Sequence, residues 1–422
     1  MSFSEPPSLR RALFRRALVA CLLGATFALP AYLMTGKSIT NDEVAHIPAG
    51  YSYLLTGIVR VNPMHPPLVK EICALPLLFL DAELPIPPRA ILEHPGLPVT
   101  FQWEYGRHFL ERPELDTILF RSRLMAVLLS LGLGAVILIW ARALWGNAGA
   151  ALALSLYAFD PTITAHSQLV TTDVGVAFFS TAYLFSLRRF TLEATGMRLL
   201  VAGLTLGLAL GAKFSAVFLL PITALLLGLA ISLEPHRFGR GSRWRASLAA
   251  AFALLTMACL AYAVLWVIYF FPRDPFFYLH GLRTVNLDRV SEYPFFLMGE
   301  LKPGGWAHYL LIAFLVKTPL PTLLLLAASI TAFASGRRDG WLEEAFLLVP
   351  AIGLFAAYSA FSDPLGVRYV IPCFPFLFLF AARFAPIATS LPALRPIAAG
   401  LFVWLLVEYI SIWPDHLSYF NQ

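Results

Sequence analysis

The stretch from Leu199 to Leu233 reads LLVAGLTLGLALGAKFSAVFLLPITALLLGLAISL, and Lys213 is its only charged residue. As a single helix it would extend about 50 Å at 1.5 Å per residue, well beyond the roughly 30 Å hydrocarbon core of a bilayer. A single span would also place the arginine-rich loop that follows on the opposite side from the other arginine-rich loops. We therefore predict two membrane spans that turn near Gly211-Ala212-Lys213.

The rest of the chain has the same apolar character. Of its 422 residues, 59% are hydrophobic and 13% are charged, and the mean hydropathy is +0.72, whereas soluble domains carry about 25% charged residues. We predict an all-α polytopic membrane protein, with the run from Ala17 to Leu33 as an uncleaved first helix rather than a signal peptide. About eleven apolar cores are expected, near 13–34, 122–141, 147–159, 172–187, 198–211, 214–233, 247–271, 308–333, 341–360, 369–386 and 396–412.

The positive charges indicate the orientation of these spans. If the N-terminus lies in the cytoplasm and the spans alternate, every short arginine-rich loop falls on the cytoplasmic side. The net charge of +6 is therefore interpreted as a topology signal and not as a nucleic-acid surface. The arginines concerned are Arg10, Arg11, Arg15, Arg16, Arg142, Arg188, Arg189, Arg198, Arg237, Arg240, Arg243, Arg245, Arg337, Arg338, Arg383 and Arg395.

Two long segments, 35–121 and 272–307, fall on the external side of what we expect to be a single domain over 1–422. Both are rich in proline, aromatic and charged residues, and neither contains an apolar run long enough to span a membrane. We expect membrane-hugging loops with short amphipathic helices.

The external side also receives the charged and titratable residues that are unusual in an apolar chain. Ionisable groups at the membrane edge persist mostly where they pair, line a wet cavity or do chemistry. Acidic groups that face basic groups across one cavity suit a site that activates a hydroxyl and holds a phosphate. These residues are Asp42, Glu43, His46, His65, Lys70, Glu71, Asp160, His166, Asp173, Lys213, Lys317, Asp363 and Arg368.

Several of the acids and histidines also have structural interpretations. Asp42 is placed to cap the helix that follows it, and Glu43 to complement the dipole of that helix. His46 shares a helix face with Glu43 and, with Asp42 or His65, offers ligands for a divalent metal, so a metal cofactor stays open. Asp173 is equally suited to the start of a helix. The four cysteines show no metal-ligand spacing.

The cations Lys213, Lys317 and Arg368 each lie at the end of an apolar segment. A lysine in that position can snorkel to the surface, but an anionic partner would explain it equally well. Arginine suits bidentate binding of a phosphate, and lysine acts as a point charge.

Five stretches together resemble the phospholipid carrier-dependent glycosyltransferases. These stretches are the Asp42-Glu43 pair with AGYSYLLTG and NPMHPPLVK, then FDPTITAHSQLVTTDV, GGWAHYLLIAFLVKTPLP, LGVRYVIPCFPF and HLSYFN. That family includes the dolichyl-phosphate-mannose protein O-mannosyltransferases and the aminoarabinose transferase of lipid A. The resemblance covers most of the chain and implies the GT-C fold.

The resemblance also implies a site. It matches Asp42 to the family's catalytic acid, with Glu43 beside it and Asp173 in the second acidic position, and Lys70, Lys213 and Arg368 to the residues that bind the donor phosphate. We assign substrate contacts to His65, His166 and Lys317. The chain ends soon after YFN, so we expect no C-terminal soluble extension.

The expected activity is transfer of a sugar from a polyprenyl-phosphate donor to an acceptor hydroxyl, with inversion, on the external face of a bacterial inner membrane. Asp42 would be the general base, and the acceptor is a protein, a lipid or a glycan. The main alternative is a transporter or flippase, although transporters usually show internal repeats and the sequence shows none.

Overall fold

A computed structural model describes residues 9–94, 96–238, 243–287, 293–336 and 340–421. The described chain is almost entirely helical and has one two-stranded hairpin, in which β1 (Pro294–Leu297) pairs antiparallel with β2 (Glu300–Pro303). The α-helices are α1 (Leu9–Leu33), α2 (Asn41–Thr56), α3 (Leu68–Ala74), α4 (Arg89–Leu92), α5 (Phe101–Leu110), α6 (Leu115–Ala158), α7 (Pro161–Ser167), α8 (Thr172–Leu192), α9 (Gly196–Ala212), α10 (Leu219–Leu233), α11 (Arg243–Ile268), α12 (Phe277–Leu287), α13 (Tyr309–Lys317), α14 (Leu320–Ser335), α15 (Trp341–Phe361), α16 (Phe374–Ala381), α17 (Phe384–Ser390) and α18 (Arg395–Ser411).

Within the described ranges, seven helical segments are long and apolar enough to cross a membrane. The pairs α7–α8 and α13–α14 add two more if each is one span, and they bend by 109° and 111° at their breaks. α9 is apolar but shorter. The protein is therefore a multi-pass membrane protein, but the expected eleven spans are not confirmed. The predicted arginines Arg240, Arg337 and Arg338 lie outside the described residues.

α6 reverses direction at Gly146, whose φ of 67° is not helical. The hydroxyl of Tyr157 donates to the carbonyl of Ser130 at 2.8 Å, and its oxygen lies 2.6 Å from Ser130 Oγ. In one straight helix these residues would be about 40 Å apart. The two halves therefore lie side by side, as expected for separate cores near 122–141 and 147–159.

The predicted break at Lys213 is confirmed. α9 ends at Ala212, Lys213 is extended with φ −156° and ψ 141°, and a 3-10 turn over Phe214–Phe218 leads into α10. Two separate apolar helices thus replace the single long one, and the lysine lies between them.

The first predicted loop segment, 35–121, folds into the short helices α2 to α5, and the second, 272–307, into α12 and the hairpin. The hairpin was not expected from the sequence. Residues of both segments line one cavity, so both segments lie on the same side of the helix bundle, which we call the loop face.

Side chains from distant parts of the chain hold the two helix breaks. At the α7–α8 break, the backbone N–H of Val170 donates to Glu43 Oε1 at 3.2 Å, and its carbonyl lies 3.1 Å from His46 Nδ1. At the α13–α14 break, the side-chain amide of Asn421 donates to the carbonyls of Leu315 and Thr318 at 2.5 and 2.8 Å. Buried backbone groups freed by a broken helix are costly unless they are bonded, so these contacts stabilise the breaks.

Candidate active site

Two ion pairs lie at the ends of helices on the loop face. Arg368, in the 3-10 segment Val367–Cys373, donates from Nη1 to Asp42 Oδ2 at 2.5 Å. Lys213 donates from Nζ to Asp173 Oδ1, near the start of α8, at 2.6 Å. The first pair is partly open, with 29% of each side chain exposed, and the second is nearly closed, with 10% and 5% exposed.

The two pairs form one group, which we call the charged cluster: Asp42, Asp173, Lys213 and Arg368. Arg368 lies within electrostatic range of both Asp173 and Asp42. The ring of Tyr369 joins the two cations, because Lys213 Nζ is 4.7 Å and the Arg368 guanidinium carbon 5.7 Å from its centroid. Two acids and two bases from four separate parts of the sequence thus meet in one place.

Histidines border the charged cluster. The rings of His46 and His65 are 5.3 Å apart in an edge-to-face arrangement. Burial lowers the pKa of His46 to about 4 and the pKa of His65 well below its usual value, so both rings are neutral near pH 7. Since a carbonyl can only accept, the contact with Val170 places the proton of His46 on Nδ1 and leaves Nε2 as an acceptor.

His166 is a third histidine beside the cluster. It is 7% exposed, and its Nδ1 has no hydrogen-bond partner among the described residues. All four members of the charged cluster lie within electrostatic range of its ring. A buried ring with an unused nitrogen next to two ion pairs is suited to hydrogen-bonding a bound molecule.

Glu43 lies apart from this cluster. Its Oε1 accepts from Arg123 Nε at 2.8 Å and its Oε2 accepts from Arg123 Nη2 at 2.7 Å. The side chains of Glu43 and Arg123 are 0% and 1% exposed. Glu43 Oε2 also accepts from the backbone N–H of Thr40 at 2.9 Å, which makes Glu43, and not Asp42, the acid that caps α2.

Lys70 is also placed differently from the expectation. It is 0% exposed, and its Nζ donates to the carbonyl of Asn62, to the side-chain oxygen of Asn62 and to the carbonyl of His65 at 2.7 to 2.9 Å. These bonds use all three of its protons, and burial lowers its pKa. In this geometry Lys70 braces its own loop and has no proton left for a phosphate.

Lys317 contacts the segment that contains Leu417 and Phe420, and not the four residues of the charged cluster. Its Nζ donates to the carbonyl of Leu417 at 3.3 Å and is 3.6 Å from the centroid of the Phe420 ring. We therefore leave Glu43, Lys70 and Lys317 out of the chemical site that we propose below.

The metal site that the sequence left open does not form in this arrangement. Glu43 has both oxygens occupied by Arg123, so it is not free to join His46 and His65 as a ligand. No group of three His, Cys, Asp or Glu side chains in the described ranges is placed to hold a metal ion.

Two cavities lie near the cluster, although none of the four cluster residues lines either of them. One, of about 600 Å³, reaches His65 and Phe214 and is walled by both loop segments. The other, of about 490 Å³, is an apolar groove between α10 and α15 that begins at Phe218. The ring centroids of Phe218 and Tyr358 are 6.1 Å apart, and those of Tyr358 and Tyr369 are 6.4 Å apart. The rings of Tyr358 and Tyr369 therefore lie between the start of the groove and the two cations.

Sequence reasoning missed two residues of this region. Arg123 was not singled out because it lies at the start of an apolar helix, where arginines are usual, and its partner is 80 residues away. Tyr369 follows Arg368 directly, and that adjacency was the available signal for it.

No protein-family model and no curated protein sequence matches the chain. Solved structures match it throughout most of its length. ArnT from Cupriavidus metallidurans bound to undecaprenyl phosphate superimposes with a TM-score of 0.58 at 15% identity, over 97% of this chain and 72% of that one. The oligosaccharyltransferase AglB from Archaeoglobus fulgidus, in complex with an inhibitory peptide and a dolichol-phosphate, gives 0.57 at 13% identity, over 97% and 55%.

The chain has a GT-C fold. ArnT from C. metallidurans in the apo state gives the same result, with a TM-score of 0.55 at 14% identity over 89% of this chain and 60% of that one. The chain thus spans between 55% and 72% of the length of the chains in these three GT-C structures. The GT-C fold predicted from the resemblance is confirmed.

Proposed function

We propose that the protein is a membrane glycosyltransferase that moves a sugar from a polyprenyl-phosphate donor to an acceptor hydroxyl. The observation that carries this proposal is the convergence of Asp42, Asp173, Lys213 and Arg368 at the loop face of a GT-C fold. Two of the GT-C structures that it resembles contain undecaprenyl phosphate or dolichol-phosphate. A carboxylate can take the proton of the acceptor hydroxyl, and two neighbouring cations can stabilise the departing phosphate.

Asp42 is the proposed general base. Among the described residues only its Oδ2 accepts a hydrogen bond, so Oδ1 remains available, and the side chain is 29% exposed. Oδ1 takes the proton of the acceptor hydroxyl while the hydroxyl oxygen attacks the anomeric carbon. The bond from that carbon to the phosphate oxygen breaks, and its electrons leave with the phosphate. Attack opposite the leaving group inverts the anomeric centre.

Lys213 and Arg368 are the proposed phosphate ligands. Asp173 and Asp42 neutralise these two cations, and a donor phosphate would compete with the two acids for them. Charge that develops on the departing phosphate is stabilised most where water is excluded, as it is around the nearly closed Lys213–Asp173 pair. Asp173 holds Lys213 in place, and His65 and His166 are proposed to contact the substrate.

The apolar groove between α10 and α15 is the proposed location of the donor's lipid tail. It is lined by Ile222 and Leu225 of α10 and by Leu348 and Ile352 of α15. From Phe218 to Leu225 the groove extends about 10 Å along the helix axis, which is a third of the thickness of the hydrocarbon core. This direction is the one expected for the lipid tail of a donor whose phosphate binds at the loop face. The arginine pattern supports a cytoplasmic N-terminus and an external loop face. We propose that this face is the periplasmic side of a bacterial inner membrane.

The test is release of free polyprenyl phosphate when purified protein in nanodiscs receives a polyprenyl-phosphate sugar and an envelope extract as the source of acceptor. We expect release with the wild-type protein and none with Asp42→Asn. A transporter would move the lipid-linked sugar across a vesicle membrane without releasing the phosphate, and that result would contradict the proposal.

A further inference from the structure

The cavity that reaches His65, of about 600 Å³, is walled mainly by the loop segments and their junctions with the bundle, with Phe214 as a further lining residue. One wall comes from the chain after α2 and the segment near Leu97, and the other from the end of α11 and from α12. We call this cavity the loop chamber. Its volume is typical of small-molecule sites, and its position at the loop face makes it accessible to a molecule that does not enter the bilayer.

The loop chamber and the apolar groove approach the charged cluster at different residues. The chamber reaches Phe214, which follows Lys213, and the groove begins at Phe218, on the first turn toward α10. If the groove takes the lipid tail of the donor, the chamber remains for the second substrate. This step rests on the proposed function.

The inner wall of the chamber is aromatic. Tyr269, Phe270 and Phe277 line it and are each partly exposed, and the rings of Tyr269 and Phe277 lie 4.7 Å apart. The backbone of Phe270 has a φ of 56°, which is uncommon for a residue other than glycine. Backbone strain of this kind is retained where the surrounding structure enforces it, and it occurs preferentially at binding sites.

The rim of the chamber carries both hydrogen-bond donors and acceptors. Asp274 Oδ2 lies 2.7 Å from His280 Nδ1, and Arg60 donates from Nη2 to the carbonyl of His94 at 3.2 Å. Arg60, Asp274 and His280 all line the chamber and are exposed, so they can exchange these contacts for a ligand. A rim of mixed sign suits hydroxyl groups, which both donate and accept, better than a ligand of one charge.

We propose that the loop chamber binds the acceptor and that this acceptor is a saccharide. The apolar C–H face of a pyranose packs on the electron-rich face of an aromatic ring, and its hydroxyls match the mixed rim. A peptide is less well served, because none of the residues that line the chamber belongs to β1 or β2 and the chamber therefore offers no strand edge for backbone pairing.

The chamber leads to the proposed base through two histidines. His65 lines the chamber and touches His46, and His46 lies four residues after Asp42 on the same face of α2. A hydroxyl of the bound saccharide that reaches past these rings gives its proton to Asp42. His46 Nε2, as an unprotonated acceptor, is available to orient that hydroxyl.

Binding to the protein in nanodiscs tests the proposal, with mass spectrometry of retained ligands as the readout. The probes are a panel of neutral and amino-bearing di- to tetrasaccharides and a panel of peptides that contain serine and threonine. We expect the wild-type protein to retain saccharides. Phe277→Ala should weaken that retention at least tenfold, and His280→Ala, at the exposed rim, should weaken it less.

Phe276→Ala is the matched control, because Phe276 is the neighbouring residue, is 58% exposed and does not line the chamber. Its saccharide retention should equal that of the wild-type protein. Retention of peptides in place of saccharides, retention of neither, or saccharide retention that both Phe277→Ala and His280→Ala leave unchanged would overturn the proposal.

Undecaprenyl phosphate binding, measured on the same samples, separates this proposal from the proposed function. All three variants should bind undecaprenyl phosphate as the wild-type protein does, since their residues lie away from Lys213, Arg368 and the groove. If the wild-type protein does not bind that lipid, the proposed function is contradicted. The saccharide results test separately whether the loop chamber binds the acceptor.

Discussion

Asp42 and Glu43 are adjacent carboxylates, each paired with an arginine, and their surroundings differ completely. Glu43 and Arg123 are 0% and 1% exposed, and Arg123 also donates to the carbonyls of Met34, Lys37 and Ser38. Asp42 and Arg368 are each 29% exposed and share one hydrogen bond. An acid whose oxygens are all bonded in a closed space has a structural role, and a partly exposed acid with a free oxygen is able to react.

The helix itself separates the two acids. Successive residues of a helix point about 100° apart, because there are 3.6 residues per turn. At the start of α2 this rotation directs Glu43 toward α6 and the α7–α8 break, and Asp42 toward the segment that carries Arg368. One turn of helix thus places a structural acid and a proposed base in neighbouring positions.

Asp42→Asn is the most direct test of the difference between the two acids. The substitution keeps the size of the side chain and removes its ability to accept a proton, so turnover should fall by about 10² to 10⁴, as is usual for loss of a general base. The midpoint of thermal unfolding should change little, because the pair with Arg368 is partly solvated. Release of polyprenyl phosphate and a thermal melt on the same sample check both parts. Turnover within tenfold of the wild-type rate would remove Asp42 as the base.

Glu43→Gln should show the opposite pattern. Removing one partner of a buried ion pair leaves an unpaired charge and costs about 3 to 5 kcal/mol. We expect a large loss of folded protein and of thermal stability, measured by size-exclusion chromatography and thermal melts in detergent, with Asp42→Asn as the matched control. If both variants melt together, the distinction between the two acids is wrong.

The sequence was sufficient to group the residues of the cluster but not to assign their roles. Span counting placed Asp42, Asp173, Lys213 and Arg368 on one side, and the length limit of a bilayer located the break at Lys213. It could not show that Glu43 and Lys70 are fully bonded, because Arg123 is 80 residues from Glu43 and the acceptors of Lys70 are carbonyls that no side-chain pattern reveals.

The same contrast extends to the cations. Lys213→Met should weaken binding of undecaprenyl phosphate by about 10- to 100-fold, since a hydrogen bond to a charged group contributes about 1.5 to 3 kcal/mol. Lys70→Met should lower stability through the unbonded oxygens of Asn62 and His65, but its folded fraction should bind the lipid normally. Titration of nanodisc samples with the lipid measures both affinities. Equal weakening in the two variants would contradict the proposal that Lys213, and not Lys70, contacts the phosphate.

Glu71 provides the smallest test, because it is a third carboxylate of the first loop segment that is neither paired like Glu43 nor open like Asp42. It is 9% exposed, and its Oε1 has no hydrogen-bond partner among the described residues. Burial raises its pKa from 4.5 to about 8, although Lys70 acts in the opposite direction. The folded protein therefore keeps a proton that the unfolded chain releases near pH 4.5.

Since the folded state binds more protons between pH 4.5 and about 8, the stability that Glu71 contributes falls as the pH rises through that window and levels off above it. The slope is at most about 1.4 kcal/mol per pH unit. Glu71→Gln removes the titrating group, so its melting temperature should match that of the wild-type protein near pH 5 and exceed it increasingly up to pH 8. If the difference in melting temperature between Glu71→Gln and the wild-type protein stays constant from pH 5 to pH 8, Glu71 does not hold the extra proton. Glu71 would then resemble the partly solvated acid Asp42 more than the buried acid Glu43.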